Sequence, residues 1–353
     1  MSQNLASKYS NKVDERFYRE SQALAGTNKD YEWTGVDTVN VYQVDTVPLN
    51  DYQRSGNTRY GQAPELGNTI KSYTLTQDKS FTFTIDKGNK NQSMMVTDAG
   101  KSLSREQREV MVPYVDRYIF KKQADAAVAN SQVEVAAAST STAYQKFLKG
   151  QEVLGNKDVP DTGRIGYCSY AFANLLMLDP AFIKQGEKSQ EMTIKGSLGE
   201  VDGVKIVKVP SSRLPLGTSF LLVHPSATTA PEQLKEFRIH QDPPGISGWL
   251  VEGRFIFDAF VLEAKKDALY LGMLDGTLQS VTATLDADNK PVVANADRYV
   301  GTLKIKAGTT LPAYGDADTG YTEVTSSTTV AADSIIAYSV DGKITAAGLI
   351  DVA

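Results

Sequence analysis

The groups able to do acid–base, nucleophilic or metal chemistry are few in this chain. His224 and His240 are its only histidines and Cys168 its only cysteine. Neither histidine lies in an HExxH pattern, and neither has an Asp or Ser at a familiar catalytic spacing. Both are read as structural or surface positions. A single cysteine forms no intrachain disulfide and no multi-cysteine metal site. Between Tyr167 and Ser169, Cys168 reads as a small buried hydrophobe and not as an activated thiol. The segment GSLGEVDG (196–203) lacks the Lys-Ser/Thr ending of a nucleotide loop and no helix follows it, so it reads as a turn. Asp316, Asp318, Gly320 and Glu323 in GDADTGYTE bring oxygens close together, as a calcium loop does. The full twelve-residue pattern is missing, and the segment reads as a solvated acidic turn. Arg54, Arg59 and Lys71 could form a nucleic-acid finger, but Asp45, Asp51, Glu65 and Asp78 dilute their charge. A mixed-charge surface for contacting protein fits better. No catalytic, cofactor or metal site is expected, and the chain does not read as an enzyme.

Composition narrows the class. With 353 residues, 41% hydrophobic and 22% charged, the chain can bury a core and divides into two or three domains. A net charge of −5 argues against a basic groove tracking phosphates. The opening MSQNLASKYSNKVDERFYRE lacks the apolar core of a signal peptide, and no run reaches membrane-span length. Synthesis and folding in a reducing cytoplasm are expected.

The elements follow from periodicity. Residues 1–33 are polar with scattered aromatics, and Phe17 and Leu24 permit a weak amphipathic helix. So little apolar surface cannot order itself, which makes this an arm that settles against something else. From Val36 the period becomes two (VNVYQVDTVPL), then a polar stretch of about twenty residues (NDYQRSGNTRYGQAPELGNT) precedes IKSYTLTQDKSFTFTIDKG. Hairpin loops within compact domains hold about 2–5 residues. The spacing therefore predicts a protruding hairpin with a polar tip that needs a partner surface. Ser104 with Gln107 matches a capping box, and Pro113 kinks that helix or starts another. Val115, Tyr118 and Ile119 continue it into an Ala-rich run. A second helix, TAYQKFLKGQEVL, precedes the strand RIGYCSY and the helix AFANLLML, which Asp179-Pro180 stops. Strands GVKIVKVP and TSFLLVHPSA follow; Pro231 in PEQLKEFRI marks a helix start. WLVEGRFIFDAFVLEAKKDALYL reads as a hairpin or extended pair. Beyond Gly272, Thr, Ala, Val and Asp dominate, and turns such as Asp341-Gly342 indicate a small β domain.

This order of parts resembles the major capsid protein of tailed bacteriophages, the Hong Kong 97-like fold, of the type seen in phages of Gram-positive hosts. The residues carrying the resemblance are NDYQRSG and LTQDKSFTFTIDKGN at the hairpin, REVMVPYVDRYIFKK in the long helix, DTGRIGYCSYAFANLLMLDPAF, GEVDGVKIVKVPSSRLP, and FRIHQDPPGISGWLVEGRFIFDAFVLEAKKDALYL. The resemblance covers about residues 10–270. It implies an α+β chain with an N-terminal arm over 1–35 and an extended E-loop hairpin over 36–78. A peripheral domain would span 79–160, with a spine helix at about 103–138. An axial domain would span 161–250, with closing strands over 251–272. Residues 273–353 would be an added C-terminal β domain or extension.

The function implied is that of a structural subunit of the virion, assembled in the host bacterial cytoplasm. It would self-assemble as hexamers and pentamers into an icosahedral head around double-stranded DNA held without sequence-specific binding. Its implied partners are itself, a portal protein, a separate scaffolding protein and decoration proteins, with no membrane. Asp51, Tyr52, Arg54, Arg59, Glu65 and Lys71 in the hairpin are the candidate intersubunit contacts. The Lys–Asn pair that crosslinks subunits in some members has no motif here. Two other readings stay open: an encapsulin-like compartment shell with the same fold, and an enzyme or binding protein using 273–353 as a β binding module.

Overall fold

A computed structural model describes residues 20–28, 38–88, 99–183, 199–273, 277–330 and 333–351. The helix expected around Phe17, like most of the arm, lies outside the described residues. Three sheets and one long helical run organise the rest.

The first sheet has three antiparallel strands in the order β10 (Glu232–Gln241), β11 (Gly248–Phe257), β3 (Gln77–Asp86). Its strands alternate strictly. Phe81, Phe83, Ile85, Trp249, Val251, Phe255, Phe257 and Phe237 face the helices, while Glu236, Arg238, Glu252 and Arg254 face outward. The helix expected from Pro231 is a strand. Phe237 and Ile239 alternate with Glu236, Arg238 and His240, a period of two, and a long ladder with β11 outweighs the weak helix-start signal of the proline. The division expected at residue 250 falls inside β11, because the pairing with β3 runs unbroken from Gly248 to Phe257. Gly248 must be glycine: at φ 152°, a Cβ there would lie 2.0 Å from the Ile85 carbonyl oxygen.

The helical run comprises α1 (Ala99–Glu106), a π turn (Gln107–Met111) and α2 (Val112–Ala129). Ser104 therefore sits inside α1 and is not an N-cap. The π turn ends two residues before Pro113, whose ring would otherwise collide with the carbonyl four residues back. The run stops at Ala129, not near 138. Ser131 takes φ 53°, and Val133–Glu134 (β4) leaves the helix to pair in parallel with β13 (Leu269–Met273).

The second sheet has six strands in the order β4, β13, β8 (Thr218–Val223), β5 (Ile165–Ser169), β7 (Val204–Val209), β6 (Glu200–Val201). Of the segment 196–203 expected as a turn, Glu200–Val201 is instead strand β6, Asp202-Gly203 turns into β7, and residues 196–198 lie outside the described residues. Helices α3 (Ala143–Gly155) and α4 (Tyr170–Leu178) cover it, with Phe147 and Phe172 against Phe220 at ring-centroid distances of 5.8 and 4.7 Å. Buried Ile119, Phe120, Ala124 and Ala127 of α2 join this core, and Phe120 meets Tyr167 edge-on at 4.8 Å. Small strands β9 (Thr228–Thr229) and β12 (Phe260–Val261) pair beside it.

The third sheet contains β14 (Gln279–Ser280), β15 (Ala283–Leu285), β16 (Pro291–Val293), β17 (Thr302–Ala307), β18 (Thr322–Glu323), β19 (Ser334–Val340) and β20 (Lys343–Asp351). The turn expected at Asp341-Gly342 joins β19 and β20, both in left-handed conformations. Lys304 pairs with Asp318, and Ser339 Oγ donates to the same carboxylate at 2.5 Å.

Residues 20–28 are seated by one buried carboxylate. Asp116 of α2 has no exposed surface. It accepts from Ser21 Oγ (2.5 Å), the Gln22 and Ala23 amides (3.1 and 3.3 Å) and Arg213 Nη1 (2.7 Å). Nearby, the Asn28 amide donates to the Thr228 carbonyl, and Tyr167 Oη donates to the Ala23 carbonyl at 3.3 Å.

Two outcomes follow. Asp116→Ala removes the buried carboxylate shared by Arg213, Ser21 and the Gln22 and Ala23 amides and should destabilise the subunit by about 3–5 kcal/mol, read as a fall in the urea midpoint. The Lys304 hydrogen bond, then Ser339, hold the Asp318 carboxyl below its usual pKa. Its stabilising contribution is therefore complete above about pH 4 and lost as pH falls through the depressed value. Asp318→Asn should lower the melting temperature at neutral pH, and that difference should close on acidification.

Candidate assembly surface

The residues that could have formed a reactive centre are dispersed. Cys168 is fully buried in β5, and burial pushes its thiol up to about 12. His224 turns its Nδ1 to Ser226, capping a short 3-10 turn at Pro225–Ala227. His240 lies outward on β10, its Nε2 3.3 Å from Glu252 of β11. In the acidic turn, Asp316 accepts from the Ala313 amide and Asp318 is engaged by Lys304. Glu323 faces Lys304 across the β17–β18 pair. Among the described residues, no cluster of three or more His, Cys, Asp or Glu side chains could hold a metal.

What the fold does present is a hairpin. Strands β1 (Thr38–Val44) and β2 (Asn68–Thr74) pair antiparallel, from Thr38 opposite Thr74 to Val44 opposite Asn68. No third strand joins them among the described residues. From Tyr42 to Ser72 every residue is exposed except the half-buried Gly61. Such a ribbon leaves two rows of backbone groups open and is marginal in water by itself.

Its root, by contrast, is fixed. Asp258 accepts from the Thr76 amide (2.8 Å) and Thr76 Oγ1 (2.9 Å) through one oxygen. Tyr118 Oη of α2 and the Ala259 amide, both at 2.7 Å, donate to the other. Burial raises the Tyr118 phenol well above its ordinary pKa, so it stays a donor. Tyr73 stacks on Phe260 at 4.2 Å, and Val41 and Leu75 pack beside them against Leu262. The body thus aims the hairpin and covers only its base at Val41 and Tyr73, leaving the rest beyond Tyr42 and Ser72 exposed.

The six residues singled out from sequence all lie on this exposed element. Tyr52 meets Tyr60 edge-on at 5.1 Å, and the Arg59 Nε donates to the Gly56 carbonyl at 3.2 Å, so both shape the tip. Lys71 stands opposite Val41 in the ribbon and lowers the pKa of Glu263 slightly, after the larger effect of Lys266. Asp51, Arg54 and Glu65 point to solvent, and no ion pair links them to one another or to Arg59 among the described residues.

The tip, expected from sequence to be polar, carries exposed apolar side chains. Val47, Leu49, Tyr52, Tyr60 and Leu66 are exposed there, as are Tyr42, Val44 and Ile70 on the strands. Together they make up half of the large exposed hydrophobics among the described residues. Leu49 is 101% exposed. The apolar residues stand in VPLNDY and nearby, interspersed with Asn, Pro, Gly and charged residues, so the local composition averages to polar. Scattered surface hydrophobics are ordinary, but a concentration on one projecting element marks an interaction surface.

No protein-family model matches this sequence, and no curated protein is similar to it. Similarity appears in three dimensions. A chain from Mycobacterium phage Che8 superposes with a TM-score of 0.62 at 17% identity, covering 76% of this chain and 96% of that one. The mature capsid of bacteriophage PhiM1 gives 0.59 at 12% identity, covering 76% and 91%. The capsid of cyanophage P-SCSP1u gives 0.59 at 10% identity, covering 76% and 92%. This chain has the fold of bacteriophage capsid structures.

Proposed function

We propose that this chain is the major capsid protein of a tailed bacteriophage, assembling as hexamers and pentamers into the icosahedral head that encloses double-stranded DNA. The observation that carries the reading is the rigidly rooted, uncovered hairpin on a capsid fold. Its open backbone edges and its apolar side chains find partners only on another copy. On this reading residues 36–78 form the extended loop of a Hong Kong 97-like subunit. The three-stranded sheet with α1 and α2 is its peripheral domain, and the six-stranded sheet its axial domain. The arm assigned to residues 1–35 would reach a neighbour, and its residues 21–23 are latched at Asp116.

Contact energies set how such a shell holds. An exposed ion pair from Asp51, Arg54, Arg59 or Glu65 is worth about 0–1 kcal/mol. Burying a large apolar side chain is worth about 1.5–3 kcal/mol. Leu49, Tyr52, Tyr60 and Leu66 are therefore the anchors, and the charges set register. Many such contacts repeated around each ring add up to a closed shell. A net charge of −5 suits a wall that must release packed DNA. Portal, scaffolding and decoration proteins are the partners that go with this role, and the virion is its location.

Three experiments test the proposal. Deleting residues 50–66 should leave a soluble, folded subunit that makes no shells by electron microscopy; normal particles from that deletion would refute it. Leu49→Ala should leave the subunit's melting temperature within a degree or so, since Leu49 touches nothing in its own chain. Sedimentation should nevertheless show association weakened by about 1–3 kcal/mol per contact. Nucleic acid inside the particles separates a phage head from a compartment loaded with protein cargo.

A further inference from the structure

The capsid structures matched above leave about a quarter of this chain without a counterpart, a share comparable in length to residues 277–351. We infer that this C-terminal unit is a brace acting within the subunit. It locks α2 to the loop between β7 and β8 and is not a module displayed on a tether.

Three connections support this, and they close a triangle. The first joins α2 to the loop at residues 210–217: Arg213 Nη1 donates to Asp116 at 2.7 Å. The second joins that loop to the C-terminal unit. The Leu216 amide donates to the Arg298 carbonyl at 2.8 Å, and Arg298 Nη2 donates back to the Ser211 carbonyl at 3.3 Å. Leu216 also packs into the unit's core of Val281, Tyr299, Ile336 and Tyr338. The third returns to α2, where Lys121 Nζ donates to the Tyr299 carbonyl at 2.7 Å. One turn on, Asp125 pairs with Lys121 at 3.0 Å and accepts from the Gly301 backbone.

The seam is also continuous with the main core. Val300 and Val340 of the C-terminal unit are buried in the cluster that holds Phe120, Tyr167 and Leu271, and Tyr314 packs against it. Within the unit, Gly301 lets the chain entering β17 lie close to β19. At φ 97°, a Cβ there would lie 2.3 Å from the Ser339 carbonyl oxygen. A tethered module would meet the body through few polar contacts. Here apolar side chains cross in both directions, and hinge motion at such a seam would expose them.

Three bodies joined pairwise cannot pivot about any single contact. The brace therefore reaches the hairpin root, because Tyr118, which holds Asp258 and through it Thr76, lies on the same helix as Asp116 and Lys121. The inference concerns the isolated subunit and stands apart from the shell-forming role.

Hydrogen exchange on the full chain tests it, using Lys121→Met with Arg298→Ala. These changes remove two side-chain donors across the seam and no buried apolar group. Losing them should speed amide exchange at 211–217 and at Thr76 on the order of five- to thirtyfold, while Ile336 and Ala337 of β19 keep their protection. Acceleration confined to 296–301 would overturn the inference, since the unit would then be a passenger. Calorimetry of the unaltered chain gives an independent check. The brace requires residues 277–351 to melt together with the body, and a separate, earlier transition for that unit would also overturn it.

Discussion

A carboxylate shut away from water must have its lone pairs filled by protein donors, and Asp116 draws them from two segments far from it in sequence. Three come from residues 21–23 and one from Arg213. Because Asp116 is part of α2, satisfying it fixes residues 21–23 and the 210–217 loop relative to that helix. The neighbouring positions extend the same logic. Tyr118 reaches the hairpin root through Asp258, and Lys121 reaches the C-terminal unit. One helix thus carries the polar contacts that orient every outlying part. Its buried face of Ile119, Phe120 and Ala124 supplies the apolar energy that keeps the helix in place.

Apolar and polar interactions divide the work. Aromatic packing around Phe220, with Phe147, Phe172 and Tyr270 about it, makes the six-stranded sheet cohere but has little directional preference. Direction comes from hydrogen bonds to buried or half-buried carboxylates. The exposed hairpin has both: a rigid body beneath it and a root that sets its angle. Leaving Leu49, Tyr60 and Leu66 uncovered costs little in the isolated subunit, and on the proposed reading these side chains supply adhesion when a second copy arrives.

Much of this was readable from residues. The alternation of VNVYQV and FTFTID, the breaks at Asp179-Pro180 and Asp341-Gly342, and the long interval between the hairpin strands depend on neighbours within a few positions, and local physics suffices to read them. The errors arose where distant partners decided. EQLKEFRIHQ became a strand because β11 offered a matching ladder. The Ala-rich run after Ala129 left the helix because Val133 and Glu134 pair with β13, more than a hundred residues away. Ser104 has the right spacing for a cap, but the helix had already begun at Ala99.

For the hairpin, sequence alone determined that two segments of period two flank an interval far longer than a compact hairpin loop. It also determined that no histidine, cysteine or acidic set has catalytic spacing. Those conclusions rest on composition and short-range pattern. Only the tertiary structure decided which side chains of the hairpin stay uncovered, that Asp258 and Tyr118 aim it, and that residues 277–351 are wedged against α2 and the 210–217 loop. Each of those facts depends on groups between about forty and two hundred positions apart meeting at hydrogen-bonding or van der Waals distance. Spacing along the chain carries no record of such meetings.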